Sequence, residues 1–206
     1  MNTTFETIYR DLLNGEVGFY TYGNCGISPD PDLPLVMLSG SFNPLHRQHI
    51  TMLEAAARYI KGPVWLEIAI TNCEKDKGVI SCDDLRDRIA TIGDMCKDNT
   101  NIAGIILTNA PNFSDKVQLF RNNKIYFACG QDTLNRVVDR TYYTQSDSHI
   151  LPYSDAMNIL QQRAIFLVSP RTGVEVDRRC ILVKYEKLEV ELDEISSTQI
   201  REGEHD

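Results

Sequence analysis

Histidine is scarce in this sequence, with four in 206 residues, and tryptophan occurs once. Cysteine is present six times, at positions 25, 73, 82, 96, 129 and 180, but no pair has CxxC spacing. That scatter argues against a zinc ribbon or a disulfide framework and leaves reduced, mostly buried thiols of a cytosolic protein. No apolar run approaches the ~18 residues that a membrane span requires. The opening MNTTFETIYRDLLNGEV has no apolar core and carries Glu6, Asp11 and Glu16, so it reads as neither a secretory nor a mitochondrial leader. A cytoplasmic location is expected, with the nucleus left open. Basic residues are outnumbered, 21 Lys and Arg against 29 Asp and Glu, for a net charge of −8. A general nucleic-acid binder needs the opposite balance, whereas a small anionic ligand needs only a local cluster of donors. There is no internal repeat and no low-complexity segment. What remains is ordinary globular material, 42% hydrophobic and 24% charged, enough for one large domain.

Residues 3 to 14 fit a short amphipathic helix through Phe5, Ile8, Tyr9, Leu12 and Leu13, and the Gly/Pro-rich YGNCGISPDPDLP that follows breaks regular structure. Residues 1–34 are therefore expected to be an appendage on a domain spanning 35–206. From Leu35 the pattern alternates. LVML, VWLEIAI, IAGIILT, KIYFACG and AIFLVSP read as buried strands, with KLEVEL as a last one. HRQHITMLEAAARYI, SCDDLRDRIATIGDMCKD, SDKVQLFR, TLNRVVDRTYY and SDAMNILQQR read as the helices between them. The first helix should turn Ile50, Leu53, Ala57 and Ile60 inward, and Ser81 should cap the second. Strands separated by helices imply right-handed crossovers and an α/β fold with a doubly wound, mostly parallel sheet. Ligands bind beyond the carboxyl ends of such strands, which singles out SGSFNP, TNCEKDK, TNAPNF, GQD and SPRTG.

The stretch LSGSFNPLHRQH, residues 38–49, holds half of the histidines directly after a buried strand. Gly40 lets the chain leave the strand tightly, and Pro44 fixes the entry to the next helix. A helix beginning near His46 would aim its free N–H groups and positive dipole end at the mouth of the sheet, a ready anion site. His46 and His49 are three apart, so both rings fall on one face above it. Metal binding by such a pair needs a third ligand, and none is evident in the sequence. Near the other end, ISSTQIR at 195–201 reads as a helix start capped by Ser196 and Gln199. It places hydroxyls at Ser197 and Thr198 and a guanidinium, Arg201, one turn further on, a second anion cradle.

GSFNPLHRQH resembles the GxFNPxHxxH signature of the HIGH-motif nucleotidylyltransferases, in the form seen in nicotinamide or nicotinate mononucleotide adenylyltransferases. ISSTQIR resembles the family's second signature, ISSTxIR. Between them CGQD is similar to the family's GxD segment and SPRTG to its R-x-G turn, so that the likeness runs over residues 35–203. It implies a Rossmann-like nucleotidylyltransferase fold. It also implies transfer of the adenylyl group of ATP, bound with Mg²⁺, to the phosphate of NMN or NaMN, with release of pyrophosphate and no covalent intermediate. On this resemblance His46, His49 and Arg201 are catalytic. ATP is met by Ser41, Phe42, His49, Gly130, Asp132, Arg171, Ser196, Ser197, Thr198 and Arg201. The acceptor is met by Gly40, Ser41, Phe42, Asn43, Lys75 and Phe113, with Phe42 or Phe113 as the aromatic partner of the pyridine and Trp65 left to the core. Asp132 could also simply cap the following helix. Lys75 could be an ordinary solvated lysine.

One departure is Gln48, where the family often has glycine. It projects about 200° from His46 and so should clear the histidine face, but it could crowd an adenine. Amide and acid acceptors stay open. So do a phosphopantetheine adenylyltransferase, a cytidylyltransferase, and a nucleotide-binding sensor or scaffold with little turnover. Neither a nucleic acid nor a membrane is expected as a partner.

Overall fold

The apolar runs of the central domain become strands of one sheet in the computed structural model, which describes residues 4–22, 29–30, 32–71, 78–121, 123–143 and 151–190. The strands are β1 (Phe19–Tyr22), β2 (Leu35–Ser39), β3 (Val64–Ala69), β4 (Ile102–Thr108), β5 (Ile125–Gly130), β6 (Ala164–Ser169) and β7 (Tyr185–Lys187). They are joined by α1 (Phe5–Leu13), α2 (Arg47–Ile60), α3 (Cys82–Cys96), α4 (Phe113–Leu119), α5 (Gln131–Val137) and α6 (Tyr153–Arg163). The sheet order is β1-β4-β3-β2-β5-β6-β7. Every neighbouring pair is parallel except β1 with β4. Counted from β2, the strands stand in the order 3-2-1-4-5-6, so the winding reverses between β2 and β5. A crevice opens there beyond their carboxyl ends.

Period-2 alternation divides the core into two layers. Val36 and Leu38 of β2, with Leu66 and Ile68 of β3, pack on the face covered by α1, α2 and α3. Leu35 and Met37, with Trp65, Phe127 and Phe166, pack on the face covered by α4, α5 and α6. Both faces of the central strands are dry, which is why those strands read as unbroken apolar runs. Leu53 and Ala57 of α2 are buried, and Ile50 and Ile60 lean on the same layer. Ser81 caps α3 by accepting the Asp84 N–H at 3.1 Å. Trp65 belongs to the core, against Gly104.

Three expectations need correction. Within residues 1–34, the described part is no appendage: α1 buries Ile8 and Leu12 in the first core layer, and FYTY pairs with β4 along Phe19↔Thr108 to Tyr22↔Ile105. The helix expected over 133–143 splits into α5 and a 3-10 turn at Arg140–Tyr143. There Asp139 accepts both the N–H and the hydroxyl of Thr141, a local alternative to helical bonding. The last described strand lies at Tyr185–Lys187, starting two residues before KLEVEL and leaving out its residues 188–190; it is held by Phe166 N–H on the Lys184 carbonyl and Leu188 N–H on the Val168 carbonyl.

Candidate active site

The site is built where β2 gives way to α2. The Gly40 N–H still donates to the Glu67 carbonyl at 3.0 Å, closing the ladder with β3. Phe42 then takes the left-handed region, φ 44°, unusual for a bulky residue, and turns its ring into the core at 2% exposure. A Cβ on Gly40 would stand 2.9 Å from that ring, so position 40 has no room for a side chain. The Asn43–Pro44 peptide is cis. His46 is the N-cap of α2 and Arg47 its first residue.

The two imidazoles lie with centroids 3.7 Å apart and planes tilted by 34°, and the Phe42 ring meets His49 in a T-shaped contact, centroids 5.2 Å apart. The His46 backbone N–H donates to His49 Nδ1 at 3.2 Å. With Nδ1 accepting, a neutral His49 carries its proton on Nε2 and presents a donor outward. Burial pushes the His49 pKa from 6.5 down to about 3, helped by the neighbouring His46 and then by Arg171. His46 is lowered too, by burial and then by Arg171. Both rings are therefore uncharged at neutral pH. His46 Nδ1 and the Gln48 Nε2 are buried without a hydrogen-bond partner among the described residues. Gln48 is half-buried.

Across the switch point, Gly130 ends β5 and is the N-cap of α5; Asp132 lies within the first turn and does not cap it. Asp132 stands 3.6 Å from Arg171, at the end of β6, and 3.8 Å from Arg136. The structure thus brings His46, His49, Gly130, Asp132 and Arg171 to one edge of the sheet.

Against the Gly40–Asn43 turn lies a cavity of about 520 Å³, the size of a small-molecule site. Gly40, Ser41 and Asn43 form its near wall, and Phe113 and Pro111 an apolar one; the histidines do not line it. The described residues offer Phe113, not Phe42, to a ring in this space. Phe113 starts α4 and packs edge-on to Phe127 and Phe166. Four charged residues that sequence reasoning passed over also line the cavity: Glu67, Arg88, Lys116 and Arg136. Arg88 donates to the Ser41 carbonyl at 3.1 Å and so braces the turn. Within DDLRDR and TLNRVV, Arg88 and Arg136 look like solvated helix charges. Glu67 did carry a signal, being the one charge in the buried strand VWLEIA. Lys75, Ser196, Ser197, Thr198 and Arg201 lie outside the described residues.

The family model described as cytidylyltransferase-like matches residues 37–203, most of the chain. The chain belongs to the cytidylyltransferase-like family. Solved structures similar to this cytidylyltransferase-like protein include Plasmodium falciparum nicotinic acid mononucleotide adenylyltransferase complexed with NaAD. It has a TM-score of 0.55 and 15% identity, and 82% of each chain is covered. The same Plasmodium falciparum enzyme complexed with APC gives a TM-score of 0.54, again at 15% identity and 82% of each chain. At that identity the likeness to this cytidylyltransferase-like protein is one of fold. No curated protein sequence matches it. Among its described residues, no helix is long and apolar enough to cross a membrane.

Proposed function

We propose that this protein transfers the adenylyl group of ATP to the phosphate of a pyridine mononucleotide, releasing pyrophosphate. The observation that carries the reading is the closely paired, uncharged His46 and His49 at the tip of α2, next to a ligand-sized cavity lined by Gly40, Ser41 and Asn43 of the adjoining turn. Two compartments meeting at one turn suit a two-substrate reaction, with ATP on the histidine side and the acceptor in the cavity.

The chemistry fits these residues. A phosphate monoester has a second pKa near 6 and is largely a dianion at neutral pH, so no general base is needed. One of its oxygens attacks the α-phosphorus in line. The bond from that phosphorus to the bridging oxygen breaks, and the electron pair leaves with pyrophosphate. Catalysis then consists of holding two anions together and offsetting the charge that develops. His49 Nε2–H and the free N–H groups at the start of α2 donate to the phosphoryl oxygens of ATP. The α5 tip at Gly130 lies across the same crevice, with Asp132 facing the ribose and Arg171 the phosphates. Gly40, Ser41, Phe42 and Asn43 position the acceptor, Phe42 through its backbone, and Arg88 and Arg136 supply positive charge for its phosphate. Phe113 packs against the pyridine. Lys75 reaches a substrate phosphate, and Ser196, Ser197, Thr198 and Arg201 hold the departing β- and γ-phosphates. Mg²⁺ enters on the triphosphate as part of the substrate; the only described carboxylate on the ATP side, Asp132, already faces two arginines.

Incubation with ATP, Mg²⁺ and NMN or NaMN should release pyrophosphate and form the dinucleotide, detected by chromatography. His49→Ala should lose roughly 10²- to 10³-fold in kcat/KM, the usual cost of one oxyanion donor, while its circular dichroism stays native. Tight ATP binding without pyrophosphate from any phosphorylated acceptor would instead identify a sensor of the same fold.

A further inference from the structure

A buried charge pair forms part of the cavity wall and is not used in the adenylyl transfer described above. Glu67 is fully buried on β3, on the sheet face covered by α4, and Lys116 of α4 is 5% exposed. Their Nζ–Oε2 distance is 3.4 Å. Thr108 on β4 accepts the Ala110 N–H through its hydroxyl oxygen and donates its proton to Glu67 Oε1 at 2.6 Å. Oε1 is thereby occupied. Oε2 has the ion pair but no hydrogen bond among the described residues. Its sheet neighbour across the β2–β3 register, Ser39, likewise has a buried hydroxyl without a partner, and all three residues line the cavity. Lys116 Nζ also stands 5.2 Å from the Phe113 ring centroid, next to the apolar wall.

A buried ion pair seldom stabilises more than apolar residues of similar volume would, so stability does not explain this one. Glu67 Oε2 is covered beside the Lys116 ammonium at the cavity wall, and its unused acceptor capacity, with the ammonium's donors, is what a ligand with one donor and one acceptor would satisfy as it parts the pair. We infer that Glu67 and Lys116 are the specificity determinants of the acceptor ring and select a carboxamide over a carboxylate. The assignment rests on the adenylyl-transfer reading above. The amide NH₂ donates to Glu67 Oε2 while its carbonyl accepts from Lys116 Nζ. A carboxylate meets Lys116 more strongly than an amide carbonyl does, but it sets two like charges together at Glu67 and competes with Glu67 for the ammonium. Rejection by a buried, unmatched polar group is the strong form of discrimination.

The test uses the full chain with MgATP and compares kcat/KM for NMN and NaMN. Wild type should favour NMN by at least ten-fold. Glu67→Gln keeps the shape, removes the charge and adds a donor, so it should lower that ratio at least ten-fold and raise turnover of NaMN in absolute terms. A merely structural role for Glu67 would depress both acceptors alike. Titration of the wild type with NMN and with NaMN gives the ranking without any variant, and equal or NaMN-favouring affinity overturns the assignment should Glu67→Gln misfold. Wild type that prefers NaMN, or a ratio unmoved in folded Glu67→Gln, overturns this assignment and leaves adenylyl transfer standing. Turnover of another phosphorylated acceptor with neither pyridine nucleotide used overturns both.

Discussion

His49 holds its place at the expense of its basicity. Its Nδ1 is taken by the His46 backbone N–H, and burial keeps the ring uncharged down to about pH 3. In the unfolded chain the same ring protonates near 6.5. Below that value the unfolded state takes up a proton that the native state refuses. His49 therefore leaves stability untouched above pH 6.5 and erodes it as pH falls from 6.5 toward 3, by up to about 1.4 kcal/mol per pH unit. Urea midpoints of wild type and His49→Asn, measured from pH 8 to 4, should diverge in slope below 6.5, the variant being the flatter. The pairing of the two histidines was legible from their spacing. Their neutrality was not, because it depends on burial within the fold and on the positive charge that Arg171 brings from far along the chain. For the same reason Phe42 misled: a phenylalanine in a Gly-Ser-Phe-Asn turn suggests a surface ring, yet its positive φ sends it inward.

The turn between β2 and α2 is the element on which both compartments depend. Gly40→Ala forces a methyl group to 2.9 Å of the buried Phe42 ring, which is itself in contact with His49. Such overpacking typically costs about 1–3 kcal/mol. Thermal unfolding should show that loss, and kcat/KM should fall at least ten-fold further than the lost folded fraction accounts for. A variant with a lowered midpoint and unchanged turnover would show that the turn and the histidines are not coupled. The elements themselves were mostly readable, since amphipathic helices and dry strands differ in period. The misread ends lie where local bonding competes: Asp139 draws Thr141 out of α5, and register against β6 fixes the last strand two residues earlier than its alternation suggests.

At the scale of the molecule, the sheet extends beyond the expected domain. Antiparallel β1 covers the edge of β4, and Leu12 on α1 is fully buried in the layer beneath α3. Leu12→Ala should therefore lower stability by about 2–5 kcal/mol, read as a shifted urea midpoint with the slope of the transition unchanged. A dispensable appendage would show no shift. By itself the sequence determined the alternation of strands and helices, and with it the parallel sheet, the ligand edge and the family, because periodicity and a contiguous motif are local properties. Tertiary structure alone decided that the N-terminal segment joins the sheet and that Gly40, Ser41 and Asn43 line a cavity that the histidines do not. It also decided that Glu67 and Lys116, 49 positions apart, meet at that cavity's wall. Those are contacts between distant parts of the chain, and no spacing along it encodes which side chains close the gap.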